Sequence, residues 1–271
     1  VPGPTYIPER LQRAMLRQSE NHRDPHFQYL VQRVLADLKP LFQTKDGQCF
    51  VFPSTGTGAW EAGLTNTLSK GDKVLAFRFG QFSHLWIDQA QRLGLDVQVL
   101  EEPWGHGANE ARLQAVLAAD TQKQIKAVMV VHNETTTGVT SDIGACRAAM
   151  DAAGHDALLL VDGVSSIGAI DFRMDEWRVD VAMTGSQKAL SLPTGLAMVC
   201  VSPKALARAS SADLPRCFFS FADMAKMNAQ GTFPVRPATA LCSRSCHGSQ
   251  IPFPLRSTRP PCRSYTAWPR R

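Results

Sequence analysis

The sequence predicts an α/β fold, a mostly parallel sheet with helices on both faces. Two observations carry this. Strand-like apolar runs alternate with helical patterns along most of the 271 residues, which is the signature of βαβ units. Runs such as KAVMVV (Lys126 to Val131) and ALLLV (Ala157 to Val161) are apolar almost throughout, as suits strands covered on both faces. The length is enough for one large core. A composition of 44% hydrophobic and 20% charged residues is that of an ordinary globular chain.

The elements follow in order. PERLQRAMLRQ (Pro8 to Gln18) reads as a short helix with proline in its first turn. His26 to Thr44 carries Phe27, Leu30, Val31, Val34, Leu35 and Leu38 at helical spacing, and Pro40 is expected to end or kink it. Cys49 to Phe52 reads as a strand stopped by Pro53, Ser54 to Gly58 as a small-residue loop, and Ala59 to Ser69 as a helix ended by Gly71. KVLAFRF is a strand, FSHLWIDQAQRLG a helix closed by Gly94, VQVLEE a strand and NEARLQAVLAAD a helix. The strand Lys126 to His132 runs into a loop, NETTTGV. DIGACRAAMDAAG is a helix that Asp142 is expected to cap. ALLLVDG, VAMTGS and LAMVCVS are three further strands, and there is no internal repeat.

Several function classes are disfavoured. The net charge of +5 invites a nucleic-acid reading, but residues 241 to 271 hold six arginines and no acid, so the rest of the chain is close to neutral. No apolar run is long enough to span a bilayer, so no membrane role is expected. The opening VPGPTYIPER has no apolar stretch of a secretory signal, and Val1 in place of Met is expected of a processed or incomplete start. Of seven cysteines, Cys242, Cys246 and Cys262 fall in the basic stretch and the other four are scattered, as expected of a protein kept reduced in the cytoplasm. Cys242, Cys246 and His247 have neither the spacing nor the partners of a metal motif, so no metal is expected. After about residue 236 helical and strand periodicity stop. That stretch reads either as a disordered basic tail or as an out-of-frame translation.

Three segments carry chemistry. STGTG (Ser54 to Gly58) opening a helix offers free backbone N–H groups, the positive end of a helix dipole and the hydroxyls of Thr55 and Thr57, a cradle for phosphate. By itself it is also an ordinary glycine turn. It lacks the Gly-Lys-Ser/Thr of a nucleotide-binding P-loop, and Glu61 stands where a dinucleotide fingerprint has its third glycine. Asp162 ends the strand LLLVD. Alone it is a turn residue, but an ionised carboxylate there can also pair with a protonated pyridine nitrogen. Lys188 lies in TGSQKAL just past another strand. It reads as a surface lysine or, given small and apolar flanks, as a partly desolvated amine with a lowered pKa, ready to join a carbonyl. Gln187 is either solvent-exposed or a phosphate donor. Phe82 is either core or a ring that stacks on a pyridine, with Val164 against the other face and the Thr135 hydroxyl at the ring oxygen. His22, His26, His84 and His132 read as structural. Asp162, Thr135 and Lys188 all follow strand C-termini, where open α/β sheets bind ligands.

These segments together resemble the class V, fold-type I aminotransferases, which use pyridoxal 5′-phosphate (PLP), and within them the alanine–glyoxylate/serine–pyruvate group. The likeness runs from PGPTYIPER to about FPVRPATAL. Its anchors are STGTGAWEAGLTNTLSKGD, GQFSHLW, AVMVVHNETTTGVTSDI, LLLVDGVSSIGAIDFRMDEWRVDV and GSQKAL. It implies Lys188 as the Schiff-base lysine and Asp162 as the partner of the pyridine nitrogen. It implies Phe82 and Val164 on the two ring faces, Thr55, Gly56, Thr57 and Gln187 on the phosphate, and Thr135 at the ring oxygen. It also implies a homodimer in which a segment like GYFPYTPAT reaches the other copy's phosphate. Here that segment reads GTFPVRPAT, keeping Phe233 and Thr239 but carrying Val235 and Arg236 in place of Tyr and Thr.

The resemblance further implies an N-terminal arm (1–25), a PLP-binding large domain (26–240) and, in relatives, a small C-terminal domain carrying an arginine that clamps the substrate carboxylate. Here residues 241–271 are an irregular basic tail instead, with a frameshift as the expected cause. The implied activity is amino transfer from a small amino acid, serine favoured, to glyoxylate, giving hydroxypyruvate and glycine. The alternatives are alanine–glyoxylate, serine–pyruvate or aminoethylphosphonate transamination, or a catalytically incompetent PLP-binding protein. A cysteine desulfurase is disfavoured, since that family places histidine where this chain has Gln187.

Overall fold

A computed structural model describes residues 3–16 and 21–234. Two N-terminal helices, α1 (Glu9–Ala14) and α2 (Pro25–Phe42), precede the sheet. β1 (Gln48–Ser54), α3 (Gly56–Thr67), β2 (Lys73–Arg78), α4 (Gln81–Arg92), β3 (Asp96–Glu101), α5 (Glu110–Ala119) and β4 (Ile125–Val131) follow in alternation. A two-stranded hairpin, β5 (Asn133–Glu134) and β6 (Val139–Thr140), leads to α6 (Ile143–Ala152). β7 (Leu158–Asp162), β8 (Val181–Gly185) and β9 (Gly195–Val201) complete the sheet, with α7 (Pro203–Ala209) and α8 (Phe221–Asn228) after it.

The seven strands lie in the order β1-β9-β8-β7-β4-β2-β3. β3, β2, β4, β7 and β8 are mutually parallel. β9 runs against β8 and β1 against β9, so β1 points the same way as the five. The C-terminal ends of six strands therefore meet at one edge of the sheet. Every residue of β7 and β8 is buried. Because successive side chains point to opposite faces, both faces are covered there. α3 packs on β1, β8 and β9, and α4 on β2, β3 and β4. Trp60 of α3 stacks on Trp86 of α4 at 5.9 Å, and Phe50 of β1 on Phe221 of α8 at 4.8 Å.

Caps form where short polar side chains precede a helix. Asp142 accepts from Ala145 N at 2.8 Å, as its position before α6 predicts, and Asp24, Asn109, Ser202 and Ser220 cap α2, α5, α7 and α8. Four local expectations need correction. Pro40 does not end α2, which runs on to Phe42, because a proline so near the C-terminus removes a single helical bond. Pro53 does not stop β1, which continues to Ser54. β1 is an edge strand bonded to β9 alone, where a missing N–H is tolerated. α3 starts at Gly56, not Ala59, since packing on β8 and β9 overrides the weak helix propensity of Gly56 and Gly58 in its first turn. NETTTGV is a hairpin rather than a plain loop. The domain limit at 240 and the tail from 241 lie outside the described residues.

One acid staples the far edge of the sheet. Asp180, buried just before β8, accepts from Leu159 N of β7 at 2.8 Å and from Ser202 Oγ after β9 at 2.9 Å. Arg147 of α6 donates to it at 3.2 Å, both side chains being buried. Removing one partner of such a pair leaves a buried charge uncompensated. Asp180→Ala is expected to lower unfolding stability by about 3–5 kcal/mol in urea titration. A loss below about 1 kcal/mol would mean that this network holds nothing together.

Candidate active site

The C-terminal edge of the sheet carries a cleft of about 160 Å³ lined by Thr55, Gly56, Thr57, Trp60, Phe82, Asn133, Thr135, Asp162, Val164, Ser165, Gln187 and Lys188. Each arrives there because it follows the end of a parallel strand. Thr55 to Thr57 come after β1, Phe82 after β2, Asn133 and Thr135 after β4, Asp162 to Ser165 at and beyond the end of β7, and Gln187 and Lys188 after β8. All nine residues expected around the cofactor's ring and phosphate therefore share one cleft. Phe233 does not line it and packs on the core of its own chain, and Thr239 lies outside the described residues. A larger groove of about 400 Å³ sits at the N-terminal ends of β2 and β4, lined by residues such as Lys73, Asp120 and Ile125. It holds none of the candidate residues.

Thr55 is the N-cap of α3, in extended conformation, and its side chain makes no capping bond. The first-turn N–H groups of α3 are thus left to face the cleft with their share of the helix dipole. A β-carbon on Gly56 would come within 2.7 Å of Val164, so only glycine lets the start of α3 approach this wall. Gln187 Oε1 is buried without a hydrogen-bond partner. Lys188 is half-buried. Its carbonyl accepts from Thr5 Oγ1 at 2.8 Å, and the Gln187 carbonyl accepts from Thr5 N at 3.0 Å, so the N-terminal segment is laid on the lysine loop.

Asp162 ends β7 and is 4% exposed. Burial pushes its pKa up to about 6, with the Glu134 charge adding to the rise; the bond from Val164 N, Trp60 and the Lys188 charge pull the other way. The indole N–H of Trp60 lies beside the carboxyl and favours its charge, without the geometry of a full hydrogen bond. His132, just before Asn133, is packed against Phe172 and Trp177 and bonded through Nδ1 to Ser166 Oγ at 2.9 Å. Burial lowers its pKa to about 4, so at neutral pH it is an uncharged structural group, as read from the sequence.

The aminotransferase class-V family model matches residues 10–235. The chain belongs to the class-V aminotransferases. It is 57% identical over 246 residues to a serine–glyoxylate aminotransferase of Methylorubrum extorquens, covering 89% of this chain and 61% of that protein. It is 53% identical to an L-aspartate–glyoxylate aminotransferase of Paracoccus denitrificans, again covering 89% and 61%. An alanine–glyoxylate aminotransferase from Nostoc superposes with a TM-score of 0.85 at 26% identity, covering 92% of this chain and 66% of that one. The chain thus spans about three-fifths of the length of these curated relatives. The fold is that of the fold-type I large domain, and family membership implies PLP as the cofactor. The residues fit that group: an uncapped helix start for a phosphate, an acid deep in the cleft, a half-buried lysine, and the unpaired indole N–H of Trp60 beside that acid.

Sequence reasoning missed three lining residues. Trp60 is four residues after Gly56, one helical turn along the same face. Asn133 is two residues before Thr135, and Ser165 adjoins Val164, where Ser165 Oγ donates to Asn133 O at 2.7 Å. Periodicity alone would have found Trp60. Among the described residues no group of His, Cys, Asp and Glu gathers to hold a metal, and no helix is long and apolar enough to cross a membrane.

The Asp162 shift has a thermodynamic consequence. Its folded pKa of about 6 lies above the ordinary 3.8, so the folded state holds the proton more tightly. The stability that this carboxyl contributes is fully present below about pH 4 and is lost as pH rises through about 6. Without cofactor, Asp162→Asn is expected to exceed the wild type in unfolding stability by about 2–3 kcal/mol at pH 7.5, a gap that closes toward pH 4. Parallel pH–stability curves for the two would contradict it.

Proposed function

We propose that the chain forms the cofactor-binding part of a PLP-dependent transaminase acting on small amino acids and 2-oxo acids. The favoured reaction is serine with glyoxylate, giving hydroxypyruvate and glycine. The observation that carries this reading is one cleft lined by a lysine, a buried acid and an uncapped helix start. The 57% identity to a serine–glyoxylate enzyme supports the donor and acceptor. The near-equal 53% identity to an L-aspartate–glyoxylate enzyme favours aspartate as the second donor to test.

PLP, when bound, supplies an electron sink for the pair left as a Cα proton departs. The chain's own residues do the rest. Lys188 would hold the cofactor through its amine and, once the substrate's amino group had displaced it, its free Nζ would serve as the base that takes the Cα proton. Asp162 holds a proton at the pyridine nitrogen, and its ionised form becomes favourable once that cation lies against it. Thr55, Gly56, Thr57 and Gln187 bind phosphate, with the α3 dipole adding to the attraction. Phe82 and Val164, which line the cleft, would hold the ring between them and exclude water, and Thr135 would bond the ring oxygen. We further propose a homodimer to whose phosphate site Phe233 and Thr239 contribute across the interface. A reducing, cytoplasmic setting is supported by free thiols at Cys49, Cys146, Cys200 and Cys217.

Borohydride reduction of the cofactor-loaded chain, followed by peptide mapping, is expected to leave the cofactor mass on Lys188. A label on another lysine would overturn the assignment. Lys188→Ala is expected to lower the single-turnover rate with serine by about 10²–10⁴-fold. Cofactor binding without turnover of serine, aspartate or alanine would favour a binding-only protein.

The buried acid adds a pH signature. As pH falls below about 6, Asp162 takes up a proton and its attraction for a pyridinium is lost. Cofactor affinity is expected to weaken up to about tenfold per unit, and less steeply in Asp162→Asn. Equal slopes in titrations of the two would remove Asp162 from this role.

A further inference from the structure

Glu134 is the most completely enclosed acid of the cleft's surroundings, at 0% exposed, yet it does not line the cleft. Its carboxylate sits over the start of α4. Oε2 accepts from Phe82 N at 3.1 Å and Ser83 N at 3.0 Å. Oε1 accepts from Thr136 N at 3.1 Å and Thr136 Oγ1 at 2.9 Å. The room for it comes from Gly80, the α4 N-cap, where a β-carbon would fall 2.3 Å from Glu134 Cγ and 2.7 Å from Oε2. Gly80 offers no side-chain oxygen of its own to these N–H groups. The helix is therefore capped in trans by an acid more than fifty residues away in the chain, and the same acid closes the turn that begins at Thr135.

We propose that Glu134 is a positioning residue that locks Phe82 and Thr135 together, so that the ring-stacking face and the hydroxyl beside it hold a single geometry toward the cofactor. The reasoning is chemical. A carboxylate bonded to backbone N–H groups of two segments makes charge-assisted bonds that fix both at once, and at a helix N-terminus the dipole adds to the hold. Phe82 and Thr135 flank Glu134's partners directly, being the residue that donates to it and the residue between Glu134 and Thr136. They follow the paired strands β2 and β4 on separate connections, and beyond the strand ends Glu134, together with the bond from Gln81 N to Thr136 Oγ1 at 3.3 Å, joins the two. This inference rests on the PLP reading above and concerns the rigidity of the site rather than the identity of the substrate.

The test is a double-mutant cycle on the full chain, using PLP itself as the probe. PLP dissociation constants and the visible circular dichroism of bound PLP are measured for wild type, Glu134→Ala, Phe82→Ala and the pair. Glu134→Ala is expected to weaken PLP binding at least tenfold and to halve the induced dichroism. In the Phe82→Ala background the same change is expected to weaken binding less than threefold, because the group it positions is gone. Additive losses, or an unchanged dissociation constant and dichroism in Glu134→Ala, would overturn the proposal. Should Glu134→Ala fail to fold by far-ultraviolet dichroism, Glu134→Gln replaces it. Gln keeps the shape and one acceptor, and a threefold to tenfold loss that again shrinks without Phe82 is expected. Wild-type chain that binds no PLP would sink the PLP reading and this inference with it. Wild-type binding with an indifferent Glu134 variant would sink this inference alone.

Discussion

The lateral register of β7 between β4 and β8 is the constraint on which the site depends. Val131, Asp162 and Met183 lie side by side across three parallel strands. That alignment sets the level at which the chain leaves the sheet toward Asn133, Val164 and Lys188. Side chains alternate along a strand, so a slip of one residue would turn Asp162 to the opposite face. Two features resist the slip. Every β7 residue is buried, so a slip would drive its side chains into close-packed space shaped for their neighbours. Asp180 bonds β7 to the segment after β9 while pairing with Arg147 of α6.

The cleft is built from groups that the fold by itself would do better without. An acid whose charged form is disfavoured by burial ends β7. An indole N–H and an amide oxygen are buried unpaired, and the first turn of α3 lacks a side-chain cap. Elsewhere α2, α5, α6, α7 and α8 carry side-chain caps, and the buried Arg147 and Asp180 are paired. A buried acid, an unpaired indole and an uncapped helix start gathered around one cavity are the physical mark of a site kept for a ligand. The surrounding core of Phe50, Trp86, Leu160 and Val199 supplies the stability that lets these exceptions stand.

Much of this was legible from residue order. Near-continuous apolar runs announced a two-sided sheet, and Asp162, Thr135 and Lys188 were recognisable as positions past strand ends. Misreadings came where tertiary context reverses a local rule. Pro53 looked like a strand breaker because edge position cannot be read from β1 itself. Gly56 looked like loop because helix propensity ignores the packing of α3 on β8 and β9. Asn133 and Ser165 gave no signal, since their presence in the cleft depends on a contact between the connections after β4 and β7.

By itself the sequence determined which segments become strands and helices, because hydrophobic periodicity and caps act over a few residues. It also determined the chemical inventory of acid, amine, hydroxyls and glycine turn. Only the tertiary structure decided that these residues, spread from Thr55 to Lys188, share one cleft, and that Glu134 ties two of its walls. Strand order and register arise from contacts across the sheet, and no window of neighbouring residues contains the pairing of β1 with β9 or of β4 with β7.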